Sequence, residues 1–274
     1  MEGTGSMEDF YQAPWLVFML GRERYALPTR DVQAMVKMPE LVPVPLTPPF
    51  VRGVINVRGE TTPLIDLRVK LGMESLRSVN QAHMEMIQER EQDHRSWLDE
   101  LLKSVEEERR FALATDHHQC KFGKWYDSYE PVSLLERELY DKMDVPHKDI
   151  HDIAKKCEAL IGSGQQGEAV ALIKRATRKE LAAITKLFKD YIALLNKQLE
   201  FEIAIILDVN GVRGALAVDT IVSVEKLSSE SVEPMPAVSM GGMACDVEFI
   251  ARCGKDKKLV YLLSAANLVA DAHS

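Results

Sequence analysis

Hydrophobic and polar positions change their pattern twice along the chain. Residues 15–72 carry short apolar runs, rich in β-branched residues and interrupted by glycine and proline, which is typical of strands and turns. Residues 74–199 are mostly Glu, Lys, Gln, Leu and Ala, and only Pro131 and Pro146 interrupt them, which is typical of long helices. The pattern of strands and turns returns from residue 200. The chain is therefore predicted to contain both β and helical parts.

Individual elements follow from these patterns. The first β part predicts strands at 15–20, 24–27, 53–57 and 62–66, and a short helix over about 30–38. The helical part predicts helices near 76–107, 131–142, 146–162 and 167–198, with a short helical or turn segment around 116–126. The last part predicts strands at 201–207, 212–218, 221–224, 244–252 and 258–263, followed by a short terminal helix.

The two β parts resemble each other. Residues 17–32 align with residues 205–221 as a strand, a turn and a second strand, apart from one extra residue at the turn. Each copy is too short to bury a sizeable core by itself, so we expect the two copies to pack together. The predicted organisation is one β domain in two halves, 14–74 and 200–270, with a helical bundle inserted at 75–199.

A further resemblance rests on residues 52–67, Arg-Gly-Val-Ile-Asn-Val-Arg-Gly-Glu-Thr-Thr-Pro-Leu-Ile-Asp-Leu, followed by Leu71-Gly72. This stretch is similar to the signature of the CheW family. The resemblance implies a multi-part α+β fold in which a CheW-like pair of small five-stranded β-barrels is interrupted by the helical bundle. It also implies an adaptor without catalytic activity, which binds chemoreceptor cytoplasmic tips and the regulatory domain of the histidine kinase CheA.

The resemblance suggests partner-binding residues in the β part. Arg58 falls on the family's Arg-Gly motif, whose arginine is implicated in receptor contact, and Asn56 and Glu60 flank it. A planar guanidinium makes bidentate contacts and its stem covers apolar surface, so arginine is a good interface anchor. The alternative is that Gly59 serves a tight turn and Arg58 is a solvated surface residue. Asp66 is predicted to cap the helix that follows it.

The charge balance limits the possible partners. The formal net charge of −8 argues against binding to nucleic acid or to anionic membranes, which needs clustered Lys and Arg. Residues 1–13 lack a signal-peptide pattern, and no stretch approaches the roughly 20 apolar residues of a membrane span. The sequence therefore predicts a cytoplasmic protein.

The helical part contains potential metal ligands. His147 and His151 are four apart on a helix that begins near Pro146, so their rings project from one face. Cys120 precedes a glycine and two aromatic residues, and His94 lies on the first long helix. One thiolate and three imidazoles form a closed tetrahedral set suited to zinc.

Residues 116–126, Asp-His-His-Gln-Cys-Lys-Phe-Gly-Lys-Trp-Tyr, and 145–151, Val-Pro-His-Lys-Asp-Ile-His, resemble the chemoreceptor zinc-binding (CZB) domain, with its Cys-x-Phe/Leu-Gly-x-Trp core. The resemblance implies Zn²⁺ bound by His94, Cys120, His147 and His151. His83, eleven residues before His94 on the same helix face, is the alternative to His94. His117 and His118 are predicted to be surface groups or to support the ligands.

The other cysteines and the spacing of the histidines argue against catalysis. Cys157, Cys245 and Cys253 lie in apolar patterns and are predicted to be reduced, buried thiols. A zinc protease needs His-Glu-x-x-His and an open coordination position, whereas this chain has His147-Lys-Asp-Ile-His151 and four candidate ligands. Catalysis is therefore not expected.

The predicted function is a chemotaxis adaptor that responds to zinc, or to an oxidant such as hypochlorous acid acting at Cys120. The thiolate is the form of cysteine that both binds metal and reacts with oxidants. One alternative is a zinc-bound insert that is purely structural or buffers the metal. Another is a scaffold for a different signalling enzyme, such as a cyclic-dinucleotide synthase.

Overall fold

A computed structural model describes residues 13–228, 231–235, 246–253 and 257–271. The predictions made above for residues 1–12, for Cys245 and for the start of the strand at 244–252 lie outside this range. The chain divides into two compact units, one formed by the residues up to Val79 and from Gln198 onward, the other by Asn80–Lys197.

The described elements are as follows. The strands are β1 Pro14–Leu20, β2 Glu23–Pro28, β3 Val32–Lys37, β4 Leu41–Val42, β5 Val51–Val57, β6 Glu60–Asp66, β7 Ile203–Val209, β8 Val212–Val218, β9 Thr220–Lys226, β10 Val232–Pro234, β11 Val247–Cys253 and β12 Lys258–Leu263. The α-helices are α1 Leu67–Lys70, α2 Leu76–Glu106, α3 Lys121–Ser128, α4 Leu134–Asp141, α5 Asp144–Gly162, α6 Gln166–Arg178, α7 Glu180–Glu200 and α8 Ala265–Ala270. Short 3₁₀ turns lie at Thr29–Asp31 and His117–Gln119.

The β unit consists of two six-stranded sheets that exchange strands between the halves of the sequence. One sheet has the order β10-β11-β12-β2-β1-β9, and the other has the order β3-β7-β8-β6-β5-β4. The β1–β2 hairpin therefore pairs with strands from the end of the chain, and the β7–β8 hairpin pairs with strands from its beginning. Because each hairpin depends on the other half, neither half has a complete sheet of its own.

The multi-part α+β fold class is confirmed, but the two sheets differ from five-stranded barrels. Each sheet has six strands, and within the described residues its two edge strands do not pair with each other. The edge strand β4 contains only two residues, and β10 only three. Strands this short offer few hydrogen-bonding groups with which to close a sheet on itself.

Two predicted helical segments are wrong in detail. The helix expected over 30–38 is a 3₁₀ turn followed by β3, in which half-buried and exposed positions alternate and which pairs antiparallel with β7. Pairing with a strand about 170 residues away in the sequence overrides the local helical pattern. The helix expected over 167–198 is two helices, α6 and α7, separated at Lys179.

Buried ion pairs link the two halves of the β unit. The Arg68 guanidinium donates to both carboxylate oxygens of Asp219, at 2.8 and 2.6 Å, and Asp219 also accepts from the Gly21 backbone N–H. Arg52 Nη1 donates to both carboxylate oxygens of Glu202, at 2.7 and 2.8 Å. The Asp66 carboxylate accepts from the Val69 N–H at 3.2 Å, so it caps α1 as the sequence indicates.

The helical unit has its own apolar core, built from one face of each long helix. Its fully buried side chains include Ile87, Phe122, Ile150, Ile184, Phe188 and Tyr191. One carboxylate, Glu136 on α4, is buried in this core. It accepts from the hydroxyls of Tyr129 and Tyr191 at 2.5 and 2.7 Å and from the Val132 N–H at 2.8 Å. These donors satisfy a group that would otherwise be costly to bury.

Candidate metal centre

Cys120 occupies the position just before α3, where its side chain serves as the helix cap. Its Sγ accepts from the Gly123 backbone N–H at 3.1 Å, and its carbonyl accepts from the Lys124 N–H. Burial raises the pKa of the Cys120 thiol, while the N–H groups of Gly123 and Phe122 act to lower it. The helix N-terminus therefore holds the sulfur in place and presents donors to a thiolate.

Gly123 allows the segment before Cys120 to approach α3 closely. A Cβ built on Gly123 would lie 1.9 Å from the His117 carbonyl oxygen, a distance that no real contact reaches. The glycine in the Cys-x-Phe-Gly motif is thus required by the packing of the 3₁₀ turn against α3. Gly123 also supplies the backbone N–H that donates to the Cys120 sulfur at the start of α3.

Three histidines converge on Cys120 from two other helices. His147 and His151 lie one turn apart on α5, and His94 lies on α2. Their ring centroids are 5.0 to 5.7 Å apart, and all three side chains are almost fully buried. The Cys120 Sγ lies 3.2 Å from His147 Nε2. Phe122, Phe188 and Trp97 surround the rings with apolar surface.

The polar atoms of this cluster fit a bound metal ion. The His94 Nδ1–H donates to the Arg90 carbonyl at 2.6 Å, which leaves Nε2 as the acceptor nitrogen. His94 Nε2 and His151 Nε2 are buried and have no hydrogen-bond partner within the described residues. Buried nitrogens without a partner are costly, and a metal ion would satisfy them.

The ionisation of the histidines also suits metal binding. Burial lowers the pKa of His94, and it lowers the pKa of His147 to about 2 and that of His151 to about 4, with the neighbouring imidazoles adding to the effect. All three rings are therefore neutral at pH 7, which is the form that coordinates a metal.

The structure brings together the four residues predicted as ligands. One ligand atom from each of His94, Cys120, His147 and His151 can be chosen so that all lie within 4.8 Å of one another. His83 lies apart from this group, against the rings of Trp125 and Tyr129 at 6.4 and 5.1 Å. Cys157 and Cys253 are buried free thiols, as the apolar patterns indicate.

The predicted partner-binding residues lie on the turn between β5 and β6. Arg58 is exposed and has a positive φ of 54°, and Gly59 follows with a φ of 89°. Asn56 accepts from the Gly59 N–H at 2.9 Å, and Glu60 forms an ion pair with Arg213. Asn56 and Glu60 thus have partners within the β unit, whereas the turn presents the Arg58 side chain to solvent.

Family models match both parts of the chain. The CheW-like domain matches residues 14–116, and the chemoreceptor zinc-binding domain matches residues 94–157. The second match contains all four residues of the cluster. The chain therefore contains a CheW-like domain and a chemoreceptor zinc-binding domain.

Curated relatives agree with the first match. The "Chemotaxis protein CheW" of Helicobacter pylori is 32% identical over 88 residues, which is 32% of this chain and 53% of that protein. The protein of the same name from Bacillus subtilis is 40% identical over 58 residues, 21% of this chain and 37% of that protein. The chain thus spans about half, or less, of the length of these relatives.

A solved structure, the scaffolding protein TtCheW from Thermoanaerobacter tengcongensis, aligns with 92% of this chain and 89% of its own at 17% identity. Its TM-score of 0.43 is too low to support an argument. Within the described residues, no helix combines the length and the apolar character needed to cross a membrane.

Proposed function

We propose that this protein is a non-catalytic chemotaxis adaptor that couples chemoreceptor tips to the regulatory domain of the kinase CheA, and that its helical unit binds one zinc ion. The convergence of His94, Cys120, His147 and His151 in a buried site is the observation that carries the zinc part of the proposal. The matched CheW-like domain, with Arg58 exposed on a tight turn, supports the adaptor part.

Three imidazoles and one thiolate would hold the zinc ion, which would cross-link helices α2 and α5 to the start of α3. A structural zinc ion can contribute on the order of 10 kcal/mol to the folding of a small domain. Its loss is therefore large enough to change the order of the helical unit. Cys120 is the ligand that also reacts with oxidants, since an oxygen-transferring oxidant such as hypochlorous acid converts a thiolate to a sulfenic acid and releases chloride.

The connections between the units give the helical unit a direct covalent path to the β unit. The helix that carries His94, α2, begins at Leu76, close after the hairpin that carries Arg58. At the other end, α7 ends at Glu200 and β7 begins at Ile203. We therefore propose domain limits near 14–74, 75–199 and 200–270, and a cytoplasmic location in contact with the receptor tips. A change in zinc occupancy would bias the adaptor through these two connections.

The affinity of the full chain for the regulatory domain of its cognate CheA tests the proposal. It is measured by calorimetry with zinc-loaded protein, with chelated protein, and with zinc-loaded protein treated with hypochlorous acid. Binding that shifts by about tenfold or more with zinc or oxidant supports a metal-gated adaptor; binding indifferent to both means that the insert is structural. No binding in any sample would contradict the adaptor itself.

A further inference from the structure

A second group of potential metal ligands lies on the surface of the helical unit. Asp116, His117 and His118 each offer one ligand atom, and these atoms lie within 4.8 Å of one another. Two imidazoles and a carboxylate are ligands that zinc and other borderline divalent ions accept. The His118 side chain is 51% exposed and that of Asp116 is 57% exposed, so an ion can reach the group from solvent.

His118 is oriented in the way that metal-binding histidines usually are. Its Nδ1 lies 3.0 Å from both carboxylate oxygens of Asp127. A carboxylate can only accept, so Nδ1 carries the hydrogen and Nε2 is left with a free lone pair. A carboxylate behind an imidazole fixes the tautomer and makes the other nitrogen a stronger ligand.

The backbone holds the three residues together. The Asp116 side chain accepts from the His118 N–H at 3.0 Å, and the His117 carbonyl packs against Gly123 at the start of α3. Negative charge is concentrated here, since Asp144 lies 3.9 Å from His117 Nε2 and Asp127 lies behind His118. These carboxylates would attract a divalent cation.

The surface group is continuous with the buried cluster. The rings of His118 and His117 are 3.9 Å apart, and the ring of His117 is 5.5 Å from that of His147. Exposure falls along this row, from 51% for the His118 side chain to 17% for that of His117 and 1% for His147. The row leads from solvent to the buried ligands.

We propose that Asp116, His117 and His118 form a second divalent transition-metal site at the mouth of the buried cluster. It lacks a thiolate and is exposed, so it binds zinc or cobalt more weakly than a closed site with three imidazoles and a thiolate. The proposal does not require that the buried cluster bind metal.

Equilibrium dialysis of the untagged, zinc-free full chain against Co²⁺ tests this proposal, with bound metal and the thiolate-to-cobalt absorption band measured together. We expect the protein to bind two equivalents of cobalt. Only the equivalent in the buried cluster should contribute to the thiolate-to-cobalt absorption band. In the His117→Ala/His118→Ala variant the second equivalent is lost while the band persists, which also shows that the helical unit is folded. Lys124→Ala, an exposed change on α3, serves as the matched control and keeps both equivalents.

Two further variants separate the sites. Asp127→Asn should weaken the second equivalent by about tenfold, as is usual when an orienting carboxylate is removed. Cys120→Ala should abolish the thiolate band and leave the surface equivalent bound. A single equivalent that produces the thiolate-to-cobalt band in the unmodified protein would overturn the proposal. A second equivalent that survives the double histidine variant would overturn it as well. In the unmodified protein, one bound equivalent without any thiolate band, lost in the double histidine variant, would instead contradict only metal binding by the buried cluster.

Discussion

The Cys120 Sγ lies 3.2 Å from the Nε2 of His147, although the two residues are 27 positions apart and belong to different elements. The first caps α3 and the second lies on the first turn of α5. A thiol and a neutral imidazole at this distance can share a hydrogen bond, and once the thiol is deprotonated the thiolate and the neutral imidazole can bind the same ion. This contact places the start of α3 next to the first turn of α5.

Replacing the thiol should remove most of the zinc affinity. Cys120→Ala takes away the one anionic ligand, so we expect a loss greater than the 10- to 100-fold that removal of an outer-shell partner costs. Competition with a chromophoric chelator measures the affinity. Cys157→Ala, a buried thiol on α5 outside the cluster, is the matched control and should bind zinc as the unmodified protein does. Equal affinities for the two variants would contradict the role of Cys120.

Gly123→Ala should disrupt the site without touching a ligand. The added Cβ would lie 1.9 Å from the His117 carbonyl oxygen, so the 3₁₀ turn must move away from α3 and carry Cys120 with it. Both zinc affinity and the midpoint of thermal unfolding, read by circular dichroism, should fall. Gly162→Ala is the control, because its Cβ would meet nothing within 4 Å and alanine is the better helix former. If Gly123→Ala and Gly162→Ala unfold at the same temperature, the close contact between Gly123 and the 3₁₀ turn does not contribute to stability.

Glu136→Ala should destabilise the helical unit independently of zinc. It leaves the hydroxyls of Tyr129 and Tyr191 and the N–H of Val132 without their acceptor, and an unpaired buried polar group costs about 1–3 kcal/mol. Urea unfolding monitored at 222 nm measures the change. Glu138→Ala, an exposed change on the same helix, should leave the free energy of unfolding nearly unchanged.

The zinc-free protein should lose stability as the pH falls from neutral. In the folded state the pKa of His151 is lowered to about 4, whereas in the unfolded chain it is near 6.5. Below pH 6.5 the unfolded state therefore binds more protons, and stability decreases until the pH reaches the folded value. Each such histidine costs up to about 1.4 kcal/mol per pH unit in this window.

Urea unfolding at pH 7 and pH 5 checks this expectation. Zinc-loaded protein measured at the same two pH values gives the stability of the bound form. In the zinc-free His151→Phe variant the slope of stability with pH should be smaller, since one buried histidine is gone. A zinc-free protein equally stable at both pH values would contradict the lowered pKa.

Arg58→Ala should weaken partner binding without affecting folding. The side chain is exposed on the β5–β6 turn, and truncation of an interface anchor typically costs more than 1 kcal/mol, about a fivefold rise in Kd. Binding to a receptor cytoplasmic fragment and to the regulatory domain of CheA is measured separately. Arg30→Ala, another exposed arginine of the β unit, is the control. Unchanged binding to both partners would remove Arg58 from the interface.

Much of the site could be predicted from the sequence because it is local. The spacing of His147 and His151 places them on one face of α5, and Cys120 stands near a glycine in a segment predicted to be a short helix or turn. The alternation between strand and helix patterns likewise predicted both kinds of unit. These features depend on residues within a few positions of each other, so a local pattern is enough to specify them.

The features that join distant segments depend on tertiary contacts. His83 and His94 share α2, and it is the packing of α2 beside α3 and α5 that puts His94 among the ligands and His83 against Tyr129. Residues 32–37 have a local pattern that suggested a helix, yet they form β3 because β7 supplies their hydrogen bonds. Short-range periodicity fixes which face of an element is apolar, whereas the partner of that face depends on contacts that no local spacing encodes.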